Sequence, residues 1–352
     1  MLSVFMPNYN HARHLPAALD SLLAQSYRPR EIIVLDDAST DASVEIIESY
    51  AVRDPRIRLI RNDRNLGVVA SLNRLIEMAA GPYLFGLAAD DKILPGFLEK
   101  SMNLLARHPQ AGLSSTLSHI MDENGRRRGV FMNPLSGDQA GYLAPDQCLS
   151  LLRYRGNFTH SNATIYRKEA LIEAGGFRPE LASHCDAFVQ QVIVLRHGAC
   201  FIPEPLAAWR RAAGDYSAVM DRDFQKLLQI GRNSSRLMRT TYQDLFPPDL
   251  VKSLERRYLL AVGHKTWRGL AWKQERFLAE MTAGLGPWRA GGDKPFLILM
   301  KLTLWLHVLS GYAYFGLRFG SIGQLLAKRL HHLWHNRGGM RPGSGGYDNL
   351  PS

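Results

Sequence analysis

Glu31-Ile32-Ile33-Val34-Leu35-Asp36-Asp37-Ala38-Ser39-Thr40-Asp41 is a β-branched run that stops at two aspartates, after which Val44, Ile47 and Tyr50 recur at helical spacing. An unbroken apolar run of this length reads as a buried strand, and the carboxylates mark its turn into a helix. Upstream, residues 2–6 form a short apolar run ending at Pro7, followed by Leu15, Ala18, Leu19, Leu22 and Leu23 at helical spacing. Downstream, 57–60 is a third strand, and Asn65-Leu66-Gly67 turns the chain. Leu72, Leu75, Ile76 and Ala79 then mark a helix that Gly81-Pro82 ends. A fourth strand, 83–87, runs into Ala88-Ala89-Asp90-Asp91. This alternation predicts an α/β fold: a mostly parallel, Rossmann-like sheet flanked by helices, with ligands at the carboxyl ends of its strands.

Beyond Gly112 the pattern is less regular. Strand-like pieces at 113–120 and 162–166 surround a Gly/Pro-rich stretch, 133–145, of a length that suits a substrate cover. From Asp221 to about Ala283 apolar residues recur at helical spacing among many Arg and Lys. The expected division is an α/β domain over 1–217, a helical extension over 218–292, basic amphipathic helices over 293–335 and a disordered tail over 336–352.

With 352 residues, 46% apolar and 21% charged, the chain has the composition of a folded protein, which excludes collagen, coiled coil and disorder throughout. Cys148, Cys185 and Cys200 are too scattered for a disulfide framework, and no C-x-x-C pair points to zinc or redox chemistry. The first residues carry no basic segment, long apolar core or cleavage site of a secretory signal, so a cytoplasmic start is expected.

The formal net charge is +11, and seven of those positive charges fall between Lys294 and Tyr347, where there is no Asp or Glu. Residues 296–317 are long enough to cross a bilayer. Their polar members, Lys301, Thr303, His307, Ser310 and Tyr314, continue into Arg318 at intervals that favour a helix lying in the interface. A second basic amphipathic piece spans 324–334. An anionic membrane surface at the inner face of the cell membrane is the expected partner, with a hairpin packed on the protein and a spanning helix as alternatives. Nucleic acid is not expected, because the sheet region carries no aromatic-basic motif.

The chemistry lies in acidic residues placed directly after strands. Asp36-Asp37 and Asp90-Asp91 follow the second and fourth strands and face one crevice in a parallel sheet. Adjacent like charges at Asp90 and Asp91 repel unless something positive compensates them, and Mg²⁺ or Mn²⁺ on oxygen ligands meets that need. Asp41 reads as a helix cap.

The segments 3–10 and 31–41, the turn 65–67 and the Asp90-Asp91 pair, in this order and spacing, resemble the successive motifs of the family-2 inverting glycosyltransferases of GT-A type. The resemblance covers roughly residues 1–217. It implies that Pro7 and Tyr9 border the nucleotide base and that Asp37 reads the uracil-like edge or ribose. It also places Asn65 and Asp90 at the nucleotide-sugar, and makes Asp90 and Asp91 the metal-binding pair. The chain departs from the common Asp-Ala-Asp-Asp form by carrying Ala88 at its first position.

Residues 173–177 followed by 184–188 resemble the segment that supplies the catalytic carboxylate, which makes Asp186 the general base that deprotonates an acceptor hydroxyl. His184 and Cys185 stand before it where a Glu is usual, and His184 is an alternative base. Residues 201–217 resemble the family's closing segment. There Arg210 is the candidate for holding the departing diphosphate, or else for a salt bridge to a sheet carboxylate.

The resemblance implies a nucleoside-diphosphate sugar donor, with uridine favoured, and a saccharide or lipid-linked acceptor in surface-polysaccharide assembly of the bacterial type. Two other functions remain. A nucleotidyltransferase fits the layout but would want a Gly-rich phosphate loop where this chain has Pro7-Asn8-Tyr9-Asn10-His11. The other is a non-catalytic membrane scaffold.

Overall fold

Each strand of the expected α/β series forms. In the computed structural model, which describes residues 1–131, 139–211, 220 and 223–270, β1 (Leu2–Asn8), β2 (Glu31–Asp36), β3 (Ile57–Arg61) and β4 (Tyr83–Gly86) lie parallel in the order β3-β2-β1-β4. Helices α1 (Leu15–Leu23), α2 (Ser43–Arg53) and α3 (Val68–Met78) connect them. The apolar runs are buried on both faces. Leu2, Val4, Met6, Ile32 and Val34 enter one core cluster, while the alternating Phe5, Ile33 and Leu35 enter the other.

The sheet continues through β5 (Lys92–Ile93), α4 (Phe97–Arg107), β6 (Leu113–Met121), β7 (Arg127–Val130), β8 (Gly141–Leu143) and α5 (Pro145–Tyr154). Next come β9 (Thr164–Arg167), α6 (Lys168–Glu173), α7 (Cys185–His197) and β10 (Ala199–Arg210). Its full order is β3-β2-β1-β4-β9-β6-β10-β5, with β7 beside β6 and β8 beside β10. β6 and β10 run parallel to each other, whereas β9 is antiparallel to both its neighbours, β4 and β6. β9 therefore starts, rather than ends, at the edge where β1, β2 and β4 finish. β10 pairs with β5 in antiparallel fashion and shifts register around Pro203 and Pro205, which have no N–H to give the ladder.

Two further helices, α8 (Phe224–Arg239) and α9 (Pro248–Leu270), follow the sheet region. Leu237, Met238, Tyr242, Phe246, Leu250 and Val251 carry their apolar faces into the same cluster as Phe5 and Leu35. Among the described residues no helix is long and apolar enough to cross a membrane. The segment 293–335 expected at a membrane surface, the tail and residues 133–138 of the 133–145 stretch lie outside the described residues.

The N-terminal end of the sheet is tied by one buried carboxylate. Glu31 accepts from Ser3 Oγ at 2.6 Å, Ala80 N at 2.7 Å and Arg58 Nη1 at 3.2 Å, joining β1, β3 and the α3–β4 turn. Gly81 completes the close approach: its N–H donates to Ser3 Oγ, and a Cβ there would stand 2.8 Å from the Ser3 backbone nitrogen. Burial opposes ionisation of Glu31, but the Ser3, Ala80 and Arg58 donors outweigh it and hold the carboxyl below its ordinary value of 4.5. A depressed folded pKa contributes stability that is complete above the ordinary value and lost as pH falls through the folded one. Glu31→Gln is expected to lower unfolding stability by about 1–3 kcal/mol at neutral pH. Urea denaturation should show the gap to wild type shrinking as both proteins are taken to about pH 3.

Candidate active site

The loops after β1 and β2 are built as one piece. Asp36 is buried, accepting from Asn8 Nδ2 at 2.8 Å and from Ser39 N at 2.9 Å. Ser39 Oγ in turn accepts from Asn8 Nδ2 and Asn10 N, and Asn10 Oδ1 accepts from Thr40 N. Asp41 accepts from Ala12 N and from Ser43 N, the first residue of α2, so it holds the start of that helix against the other loop. Burial raises its pKa, but the Ser43 and Ala12 donors prevail and keep the carboxyl below the usual range. Asn10 and Ala38 take left-handed backbone conformations, φ 58° and 63°, which is a cost of about 1–2 kcal/mol for alanine that the loop contacts must offset.

Asp37 faces the other way. Its Oδ1 accepts from Asn62 Nδ2 at 2.6 Å and Leu66 N at 2.9 Å, and its Oδ2 from Gly67 N at 2.9 Å. Gly67, at φ 84°, is the N-cap of α3, so this buried carboxylate sits at the positive end of that helix. Asn65 is exposed and folds its Oδ1 back onto Gly67 N. Pro7 lies within β1 beside Leu35, and Tyr9 is 44% exposed at the crevice rim. The Asp37 contacts to the 62–67 loop were not part of the sequence reading. Asn62 stands inside an unremarkable Arg-Asn-Asp-Arg run, and only its burial reveals it.

The aspartates after β4 are held from the far side of the sheet. Asp91 is 3% exposed, and its Oδ1 accepts from the backbone N–H of Arg210 at 2.8 Å. Burial and then the neighbouring charge of Asp90 push the Asp91 carboxyl well above its usual range, against the lowering effect of Arg210 and Asn162. Arg210 is itself buried. Its Nε donates to the Asp90 carbonyl at 2.9 Å, and its Nη1 to the carbonyls of Asp122 and Glu123 at 3.0 and 2.9 Å. The described hydrogen bonds of this guanidinium therefore go to backbone carbonyls, and they fasten the aspartate turn to the β6–β7 turn. His14 joins the group: burial and the charge of Arg210 lower its pKa, partly opposed by Asp90.

Asp186 occupies the first turn of α7, half-buried, with Oδ1 accepting from Ala187 N at 2.6 Å. The last turn of this helix, at His197, meets Arg167 at the opposite end of the sheet, so the first turn lies toward the aspartate edge. Tyr166 is close enough for Asp186 to raise its already burial-raised pKa. Its hydroxyl accepts from Gln190, which accepts in turn from Thr159. Ahead of Asp186, Ala182 adopts φ 45°, ψ −121°, a strained conformation that breaks the helical run. His184 packs edge-on against Tyr258 and contacts Ser183 Oγ. Cys185 is buried, and burial raises its thiol pKa.

Residues 3–175 match the family model described as "Glycosyl transferase family 2". These residues are a family 2 glycosyltransferase domain. The Bacillus subtilis protein EpsE, named as a glycosyltransferase, is 39% identical over 127 residues, or 36% of this chain and 46% of that one. The Mycobacterium tuberculosis protein Rv1520 is 30% identical over 63% of this chain and 62% of its own length. The chain thus spans roughly half to two thirds of these relatives.

Among solved structures, S. aureus TarS 1–349 superposes with a TM-score of 0.61 at 18% identity, covering 89% of this chain and 93% of that one. The mannosyltransferase PcManGT from Pyrobaculum calidifontis, solved with GDP-Man and Mn²⁺, gives 0.56 at 20% identity over 95% and 87%. These likenesses establish the GT-A type α/β fold of the glycosyltransferase domain.

Asp37→Asn offers a direct check on the loop it holds. The amide must turn a donor toward a backbone N–H that now has an acceptor, so a stability loss of about 1–3 kcal/mol is expected. Hydrogen exchange at the Leu66 and Gly67 amides should accelerate by a larger factor than exchange in β6.

Proposed function

We propose that the protein transfers a sugar from a nucleoside-diphosphate sugar, a UDP-sugar by preference, to a saccharide or lipid-linked acceptor in cell-surface polysaccharide assembly, with inversion at the anomeric carbon. The observation that carries this reading is the buried Asp91 beside Asp90 at the carboxyl end of β4 in a family 2 domain, and Asp186 in the first turn of α7 supports it. Structural neighbours solved with GDP-Man, UDP-GlcNAc and UDP support the nucleotide-sugar part. Work at the inner face of the membrane rests on the basic amphipathic sequence of 293–335.

In this mechanism Asp186 accepts the proton of an acceptor hydroxyl as that oxygen attacks the anomeric carbon. The nucleoside diphosphate leaves from the opposite face, which gives inversion in a single displacement. The nucleotide lies along the β1–β2 loops, bordered by Pro7 and Tyr9 and reaching Asp37, Asn65 and Asp90. Arg210 fixes the aspartate turn and adds positive potential beside the departing diphosphate.

Among the described residues no cluster of three acidic, histidine or cysteine side chains suited to a metal is present. The pair Asp90 and Asp91 nevertheless fits a hard divalent cation that keeps water and phosphate oxygens as its other ligands. Burial and mutual repulsion disfavour the Asp91 carboxylate, and a cation would offset both. Mg²⁺ or Mn²⁺ bound there would neutralise charge on the diphosphate.

Calorimetry with UDP, GDP, TDP and CDP, with and without Mn²⁺, tests the donor half: selective binding in Mn²⁺ that Asp91→Asn weakens is expected. For the chemical step, Asp186→Asn should keep nucleotide affinity while transfer falls by about 10²–10⁴-fold. Wild-type turnover by Asp186→Asn, or pyrophosphate in place of nucleoside diphosphate as product, overturns the proposal.

A further inference from the structure

Beside the carboxylates, three aromatic rings from separate segments meet at the same edge of the sheet. Phe131 follows β7, His160 precedes β9, and Trp209 is the penultimate residue of β10. Their centroids lie 4.4 Å (Phe131–His160), 5.1 Å (His160–Trp209) and 5.3 Å (Phe131–Trp209) apart, and the Arg211 guanidinium carbon stands 5.0 Å from the Trp209 centroid. All three rings are partly exposed, unlike the fully buried aromatic residues of the core.

The cluster is fastened to the aspartates through both of its polar strands. Trp209 is followed by Arg210, whose N–H bonds Asp91. His160 Nδ1 contacts Asn162 Oδ1, and the Asn162 side chain lies close enough to Asp91 to act against the rise in its pKa. The segment that carries His160 and Asn162 is sewn to β6 by hydroxyls. Thr164 Oγ1 donates to His160 O at 2.7 Å and accepts from Ser115 Oγ at 2.9 Å, and Asn162 Nδ2 donates to Ser118 Oγ at 3.2 Å. Ser115 and Ser118 are fully buried in mid-sheet, where branched apolar residues would pack better, so β6 gives up core packing to fix this loop.

A partly exposed aromatic surface flanked by an imidazole and a guanidinium suits a pyranose, whose C–H face packs on rings while its hydroxyls find polar partners. Sheet order assigns which sugar it takes. The Asp36–Asp37 loops stand at the β1–β2 side, the Asp90–Asp91 turn follows β4, and the rings lie beyond it at β6 and β10. We propose that Phe131, His160 and Trp209 form the acceptor subsite, holding the C–H face of a pyranose across the aspartates from the nucleotide. This inference rests on the glycosyl-transfer reading and adds the substrate class of its second site.

The test is saturation-transfer NMR on the full chain with methyl β-glucoside, methyl β-N-acetylglucosaminide and methyl α-mannoside at about 10 mM, a concentration suited to weak single-ring binding. At least one should receive saturation mainly on one ring face. Trp209→Leu should cut that signal about tenfold, His160→Ala should weaken it, and Trp209→Phe should retain most of it. Circular dichroism and a cooperative thermal unfolding transition report that each of the three variants is folded.

No signal with any glycoside in a wild-type protein that binds nucleotide overturns the subsite, as does equal signal in wild type and Trp209→Leu. Failure of the wild type to bind any nucleotide instead counts against the transfer reading itself.

Discussion

Two adjacent carboxylates at the end of β2 organise the crevice by turning in opposite directions. Asp36 reaches Asn8 and Ser39 and locks the loops after β1 and β2 together, while Asp37 reaches Asn62, Leu66 and Gly67 and fixes the entry to α3. The constraint comes from strand geometry: consecutive side chains leave opposite faces of a sheet, so a pair of aspartates at a strand end can serve two loops at once. Both are buried, and both are anchored by N–H donors.

The other half of the site depends on a reversal of strand direction. With β9 antiparallel between β4 and β6, the residues before it arrive at the same edge as those after β4, and Asn162 meets Asp91 there. β10 completes the arrangement by ending beside β6, so that the main chain of Arg210 supports the Asp91 carboxylate and its side chain supports the Asp90 carbonyl. The aspartate turn is therefore held by Arg210 of β10, which comes more than a hundred residues later in the chain.

Much of this was legible beforehand where the signal was local. The apolar runs at β1 to β4 and the aspartates that end them occupy the expected places, because buried parallel strands leave an unbroken hydrophobic signature. Short strands such as β5 and β7 left none: β5 has two residues, and β7 is fully exposed, so neither carries a pattern imposed by burial. Asn62, His160 and Asn162 were missed for a different reason, since their partners are distant in sequence. A clue did exist in Leu113-Ser114-Ser115-Thr116-Leu117-Ser118, a strand-like stretch with more hydroxyls than a core strand needs unless something polar docks on it. Arg210 was singled out by its type and position, but its attachment to three carbonyls depends on a turn that sequence spacing does not reveal.

Asn10 and Ala38 add one more consequence. Both hold left-handed conformations where neither is glycine, inside loops that already bond to each other. That wall of the crevice is set before any ligand arrives, so little conformational freedom is left there to lose on association. Whatever selectivity this side has is then a matter of fit to a fixed shape, and adjustment to different guests must come from other parts of the rim.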